Sequence, residues 1–251
     1  MDSSSLRFRV SPVDALSTSW NATFSGIGPI VGFTLLYYIA VTLLGFVPIV
    51  GSFANLFGFV LCAGLFSAYN ATGRAGSLHF ESLFEWTPRF GKLLGAYVIM
   101  GLIAFALFLP LIVLLFITFG FEFFTGFVTR SPDFFISLRG ASATLLFGAF
   151  VLGMMALLVL SVLTFPLLFI VQFKDLSIGE SLKLSMAVGR ENVPQLIAFV
   201  LLAVGVIILG ALACFVGLLV AVPLVYGMQY YMLRSIFPVD DPGEWDFMRE
   251  R

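Results

Sequence analysis

The chain has 251 residues and a formal net charge of −1, with 60% of its residues hydrophobic and 11% charged. Soluble domains run nearer about 45–50% apolar and about 25% charged, so a water-soluble fold is excluded and an integral membrane protein is expected. Thirteen basic residues against 14 acidic ones create no overall field for nucleic acid, which is not expected as a partner.

In chain order, residues 1–26 hold Asp2, Arg7, Arg9 and Asp14 but no early apolar run. A cleaved secretory signal is therefore not expected, and the first span is expected to serve as its own targeting signal. Ser11-Pro12-Val13-Asp14 offers a serine cap, a proline at the first helical position and an acid in the first turn. Val13, Leu16, Trp20 and Phe24 then follow at helical spacing, which predicts a helix lying on the membrane surface.

A bilayer core about 30 Å thick takes about 20 helical residues to cross. Residues 15–73 form an uncharged run of 59, broken by Pro48-Ile-Val-Gly51-Ser52. Proline and glycine so close together break a helix and permit a tight turn, so spans are predicted at 28–47 and 52–69. Ser82-Leu-Phe-Glu85 has the form of a capping box whose helix Pro88 cuts short. Residues 93–121 give one span, at 93–119, containing Pro110. Residues 140–173 give one long span, at 142–172, bent near Pro166. Ser177-Ile-Gly-Glu180 is a second capping box, and Ile178, Leu182 and Met186 oppose Lys183 and Arg190 on another surface helix. The last run, 192–233, is 42 residues without charge and must cross twice, at 194–211 and 215–233, turning near 211–216. Residues 237–251 form an acidic tail around Trp245.

The predicted fold is thus an all-α polytopic bundle of six transmembrane helices with short interfacial helices, in a single domain over 1–236. Six spans put both termini on one side. If that side is the cytoplasm, Arg7, Arg9, Arg74, Arg89, Lys92, Lys174, Lys183, Arg190, Arg234, Arg249 and Arg251 lie inside, and only Arg130 and Arg139 lie outside. Cytoplasmic enrichment of Lys and Arg is the general bias, so this orientation is predicted. Tyr69, Tyr97, Tyr230 and Tyr231 fall at predicted cytoplasmic span ends, where amphipathic rings suit the headgroup level.

A parallel internal repeat relates spans 1–2 to spans 5–6. Ser11 and Asp14 correspond to Ser177 and Glu180, Pro29 to Pro194, and Gly45 to Gly210. Trp20, the turn Phe46-Val-Pro-Ile-Val-Gly-Ser52, Gly64, Leu83-Phe84-Glu85-Trp86, Phe165-Pro166 and the stretch from Lys174 to Ser185 resemble a family of bacterial six-span membrane proteins of the YciC type. That family is similar to the membrane region of some glycerophosphodiester phosphodiesterases. The resemblance spans about residues 11–234 and implies a bacterial inner-membrane location. It implies no catalytic residue, because the fused enzymes' activity belongs to a separate soluble domain.

Chemistry-bearing residues are few. His79 is the single histidine and reads as a solvated loop residue, not a metal ligand. Cys62 and Cys214 sit in apolar runs and read as small buried hydrophobes, not a disulfide. The sequons at Asn21 and Asn70 fall on the cytoplasmic side and are chance matches. No catalytic, cofactor-binding or metal site is expected, and no cofactor. The spans carry no charge, although ion- and proton-coupled transporters usually keep one at membrane depth. What remains is a polar stripe, Thr34, Tyr38 and Thr42 with Tyr37 beside it, plus Asn55 and Gln229. Such residues bond packed helices more often than they line a path. Two function classes survive. One is a non-enzymatic envelope or scaffold protein that interacts with membrane lipids, with other membrane proteins or with copies of itself. The other is a facilitator or channel for a neutral or amphipathic molecule, with this stripe lining its cavity.

Overall fold

The computed structural model describes residues 6–46, 58–75, 80–116, 141–213, 216–237 and 239. Among these every regular element is helical: α1 Pro12–Ser25, α2 Ile27–Gly45, α3 Gly58–Ala75, α4 Phe90–Leu115, α5 Ala141–Thr164, α6 Leu167–Phe173, α7 Ile178–Glu191, α8 Val193–Leu212 and α9 Leu218–Arg234. Two short 3-10 turns, Phe80–Phe84 and Thr87–Arg89, precede α4. Four segments are long and apolar enough to cross a membrane, Ile27–Gly45, Phe80–Val113, Phe147–Phe173 and Val193–Leu212. The turn predicted at 48–52 lies outside the described residues, as do Asn55, His79, Cys214, the loop at 120–140 and the tail beyond 239.

The chain divides into two compact units. The smaller is 98–162, and the larger joins 1–97 to 163–251. In the smaller unit the outer stretches of α4 and α5 expose Leu102, Phe105, Phe147 and Phe150, a surface suited to lipid tails and costly in water.

In the larger unit the two kinds of helix differ by composition. Helices α2 and α8 are predominantly apolar and expose many of their side chains, Leu43 at 62% and Leu201 at 70%. Helix α3 is the reverse. It carries Cys62, Ala63, Gly64, Ser67, Ala68 and Asn70, small or polar residues that let neighbours approach, and Phe59, Leu65, Phe66 and Tyr69 are fully buried. Lipid tails are as apolar as leucine, so packing and interhelical hydrogen bonds must hold such helices together.

Helix α1 shows this. Its N-cap Ser11 accepts from the Asp14 N–H, with Pro12 inside the first turn, which satisfies an otherwise orphaned donor. It runs antiparallel to α9: the Arg9 N–H donates to Ser235 Oγ at 3.2 Å, and Ser19 Oγ donates to the Leu224 carbonyl at 2.9 Å. Gly227 makes this approach feasible, since a Cβ there would overlap Ser19 Oγ and the Tyr69 ring. The buried face of α1 is therefore Ala15, Ser19, Ala22 and Thr23, while Val13, Trp20 and Phe24 remain exposed. The sequence periodicity marked the face turned away from the protein.

Helices α1 and α7 are both 14 residues long, and each is followed by one non-helical residue. Gly26 has φ −129° and ψ 37°, and Asn192 has φ −120° and ψ 20°. Their N-caps match as well: Ser11 has φ −71° and ψ 155°, and Ser177 has φ −67° and ψ 156° with a complete capping box. The glycines do not match. A Cβ on Gly210 would lie 2.6 Å from that of Ala221 and 3.0 Å from the Gly217 carbonyl, so the α8–α9 hairpin closes through it. Among the described residues nothing lies within 4 Å of a Cβ on Gly45. Ser82, expected to cap a short helix, instead sits within the first 3-10 turn.

Candidate functional site

The backbone breaks between α5 and α6 at Phe165-Pro166, and Gln229 from α9 donates its Nε2 to the Phe165 carbonyl at 2.8 Å. Gln229, one of the residues expected to line a cavity, therefore supports a helix break. Thr34 is buried, and its hydroxyl donates to the Ile30 carbonyl one turn earlier, at 2.8 Å. Tyr37 and Tyr38 make an edge-to-face pair with ring centroids 5.6 Å apart. Tyr38 is 39% exposed, and with Ile39, Thr42 and Leu43 it lines an open depression of about 240 Å³ on α2. The predicted stripe is thus divided, Thr34 inward and Tyr38 with Thr42 outward. Gln229 lies elsewhere and Asn55 outside the described residues.

The strongest polar arrangements are ones the sequence did not announce. Tyr69 donates to the Pro223 carbonyl at 2.8 Å, and a phenol has a single proton, so Thr23 must be the donor in its 2.7 Å bond to the Tyr69 hydroxyl. Gln172 Nε2 reaches the Ala63 carbonyl and Ser67 Oγ, both at 2.9 Å. Tyr230 donates to Asn70 Oδ1 at 3.0 Å. Asn192 is 2% exposed. Its Oδ1 accepts from the Phe8 N–H at 2.7 Å, and its Nδ2 donates to the Leu6 carbonyl at 2.7 Å and the Val188 carbonyl at 2.8 Å. Tyr69 and Tyr230 are fully buried, so these two rings are core members and not part of a belt at the headgroup level. Cys62 is buried and carries no disulfide.

Charged side chains add further ties within the larger unit. Arg7 approaches Glu191 at 3.9 Å, and Arg89 donates to the Gln172 and Lys174 carbonyls. Lys92 pairs with Asp175 at 2.7 Å, and Arg234 lies against Gly73. The exposed pairs add little stability. Their value is positional, because they tie the N-terminal arm to the end of α7, the segment leading into α4 to the link between α6 and α7, and α9 to α3.

On α3, Phe59 packs against Tyr97 from α4 with ring centroids 6.0 Å apart, the Tyr97 hydroxyl rests over Gly58, and Phe66 packs against Tyr226 from α9 at 6.3 Å. Among the described residues no three His, Cys, Asp or Glu side chains group as metal ligands would. The chain matches no protein-family model, no curated protein and no solved structure.

Proposed function

We propose that this chain is a non-enzymatic integral protein of the bacterial inner membrane, a six-span bundle with both termini cytoplasmic that scaffolds partners and interacts with lipid. The single observation that supports the bundle is the Asn192 clamp. If only the four longest apolar helices crossed, the segment before α2 and the elbow before α8 would fall on opposite faces of the membrane, yet Asn192 bonds Leu6 and Phe8 at 2.7 Å. One further crossing, by α3, returns them to one face, and a crossing by α9, which follows α8, then brings the C-terminus to that face as well. The lower hydropathy of α3 and α9 fits helices that contact protein more than lipid. Four crossings would also divide the basic residues about evenly: Arg7, Arg9, Arg130, Arg139, Arg234, Arg249 and Arg251 against Arg74, Arg89, Lys92, Lys174, Lys183 and Arg190.

The matched caps and elbows of α1 and α7 support a parallel repeat. The scaffold reading draws support from the use of Thr34, Gln229, Thr23, Tyr69 and Gln172 as links within and between helices. The resemblance to the YciC type is in keeping with both. A facilitator for a neutral molecule is the second reading, favoured by the depression beside Tyr38 and Thr42. Flux of small neutral solutes into proteoliposomes discriminates the two. The scaffold reading expects the rate of protein-free vesicles, whereas a wild-type flux that Tyr38→Phe alters at matched protein levels would establish the facilitator.

A further inference from the structure

Helices α1 and α7 share more than their caps and elbows. Counted from Ser11 and Ser177, the same four positions are buried, Ala15, Ser19, Ala22 and Thr23 in α1 and Ser181, Ser185, Val188 and Gly189 in α7. The exposed positions have diverged. Where α7 carries Lys183 and Arg190, α1 carries Ser17 and Phe24, and all four side chains are exposed. A cap, an elbow and a buried face of this kind therefore form without a cation, and the two cations of α7 call for a different account.

They lie on one edge. Seven residues apart on a helix, Lys183 and Arg190 are separated by about 10 Å along the axis and about 20° around it. This edge is opposite the buried serines. Half-buried Leu182 and Met186 flank it on one side, and a Cβ on Gly179, one turn before Lys183, would meet nothing within 4 Å. Among the described residues the side chains of Lys183 and Arg190 make no ion pair and no hydrogen bond. The nearby carboxylates are already answered. Glu180 accepts from the Ser177 N–H at 2.9 Å and from its hydroxyl at 2.6 Å, Glu191 faces Arg7 at 3.9 Å, and Asp175 pairs with Lys92 at 2.7 Å. One turn beyond Arg190, α8 begins to expose apolar side chains, Val193, Ile197 and Leu201.

We propose that this edge of α7 is a docking surface for anionic phospholipid headgroups of the leaflet that α8 enters, with Lys183 and Arg190 on the phosphates. It deepens the lipid-interacting reading and rests on it. The chemistry selects this occupant. A cation in the hydrocarbon is costly, so both side chains stay at the headgroup level, where an anionic leaflet attracts them. The Arg190 guanidinium presents a planar fork of donors that matches phosphate oxygens, and the Lys183 ammonium is a compact point charge. Leu182 and Met186 add apolar area beside these charges, the combination through which interfacial helices bind. A zwitterionic headgroup brings a cation of its own and is the poorer partner.

The test compares dissociation constants of dioleoyl phosphatidylglycerol and dioleoyl phosphatidylcholine, which share their acyl chains, by native mass spectrometry of the full-length protein in mild detergent. Wild type should prefer phosphatidylglycerol, by a margin that shrinks as salt rises. Lys183→Gln and Arg190→Gln should each weaken phosphatidylglycerol about fivefold, and together about 25-fold, with phosphatidylcholine binding and the unfolding temperature unchanged. Lys92→Gln removes a cation already paired with Asp175 and should leave the preference nearly intact. A preference kept in full by the double variant, or an equal loss from Lys92→Gln, would overturn the proposal. So would a preference that appears only when Asp240, Asp241, Glu244 and Asp246 are changed to their amides, which would assign the cations to the acidic tail. Equal retention of both lipids by wild type would overturn this docking surface and leave the lipid-interacting reading standing, whereas retention of neither would overturn that reading with it.

Discussion

Asn192→Ala removes the amide that ties residues 6–8 to the elbow between α7 and α8. The backbone at 192, with φ −120° and ψ 20°, is open to alanine, so the cost is in bonds and not in strain. Three bonds disappear, to Phe8 N–H, Leu6 C=O and Val188 C=O, each with a net value of about 0.5–1.5 kcal/mol. The arm can detach and rehydrate its backbone, which recovers part of that sum but exposes Leu6 and Phe8, both now buried. The net loss should be about 2–4 kcal/mol at the arm, or about 30-fold to 1000-fold in its docked population. Hydrogen exchange at the Phe8 amide measures it directly. Asn192→Asp has nearly the same shape but turns the Nδ2 donor into an acceptor facing two carbonyls, so it should be at least as damaging as alanine. Unchanged Phe8 protection in Asn192→Ala, or an Asp variant as stable as wild type, would refute this account of the clamp.

Three further outcomes follow from packing. Gly210→Leu should sharply lower the folded protein recovered in mild detergent, because the hairpin closes on this residue, whereas Gly45→Leu should cost little; equal loss from both would restore the equivalence that the repeat suggests from sequence. Gly227→Ala should destabilise by about 1–3 kcal/mol through overlap with Ser19 and Tyr69, read as a lowered unfolding temperature. Tyr69→Phe keeps the stacked ring but orphans Thr23 and the Pro223 carbonyl, and should cost about 0.6–1.7 kcal/mol in the same assay.

Helix existence was legible because charge-free runs and serine caps are local signals. Ser11 and Ser177 cap as their spacing predicts, and the break falls at Pro166. Which face of a helix meets protein was not legible. In water the apolar face of α1 would turn inward, but here Val13, Trp20 and Phe24 are exposed, while the small polar residues Ser19 and Thr23 meet Leu224 of α9 and Tyr69 of α3. The same inversion hid Tyr69, Gln172 and Asn192, each of which bonds residues more than 40 positions away in sequence. The stripe Thr34, Tyr38 and Thr42 was correctly seen as helical in period. Its division into a buried threonine and an exposed tyrosine depends on where α3 and α9 pass.

The claim on which the rest depends is that α3 and α9 cross the membrane along with the four longer helices, so that both termini and all basic residues but Arg130 and Arg139 face the cytoplasm. Paired reporter fusions, each active on one side only, at Arg251 and at Thr129 test it most directly. The account predicts a cytoplasmic signal at Arg251 and a periplasmic signal at Thr129. A cytoplasmic signal at both positions would match four crossings and contradict it.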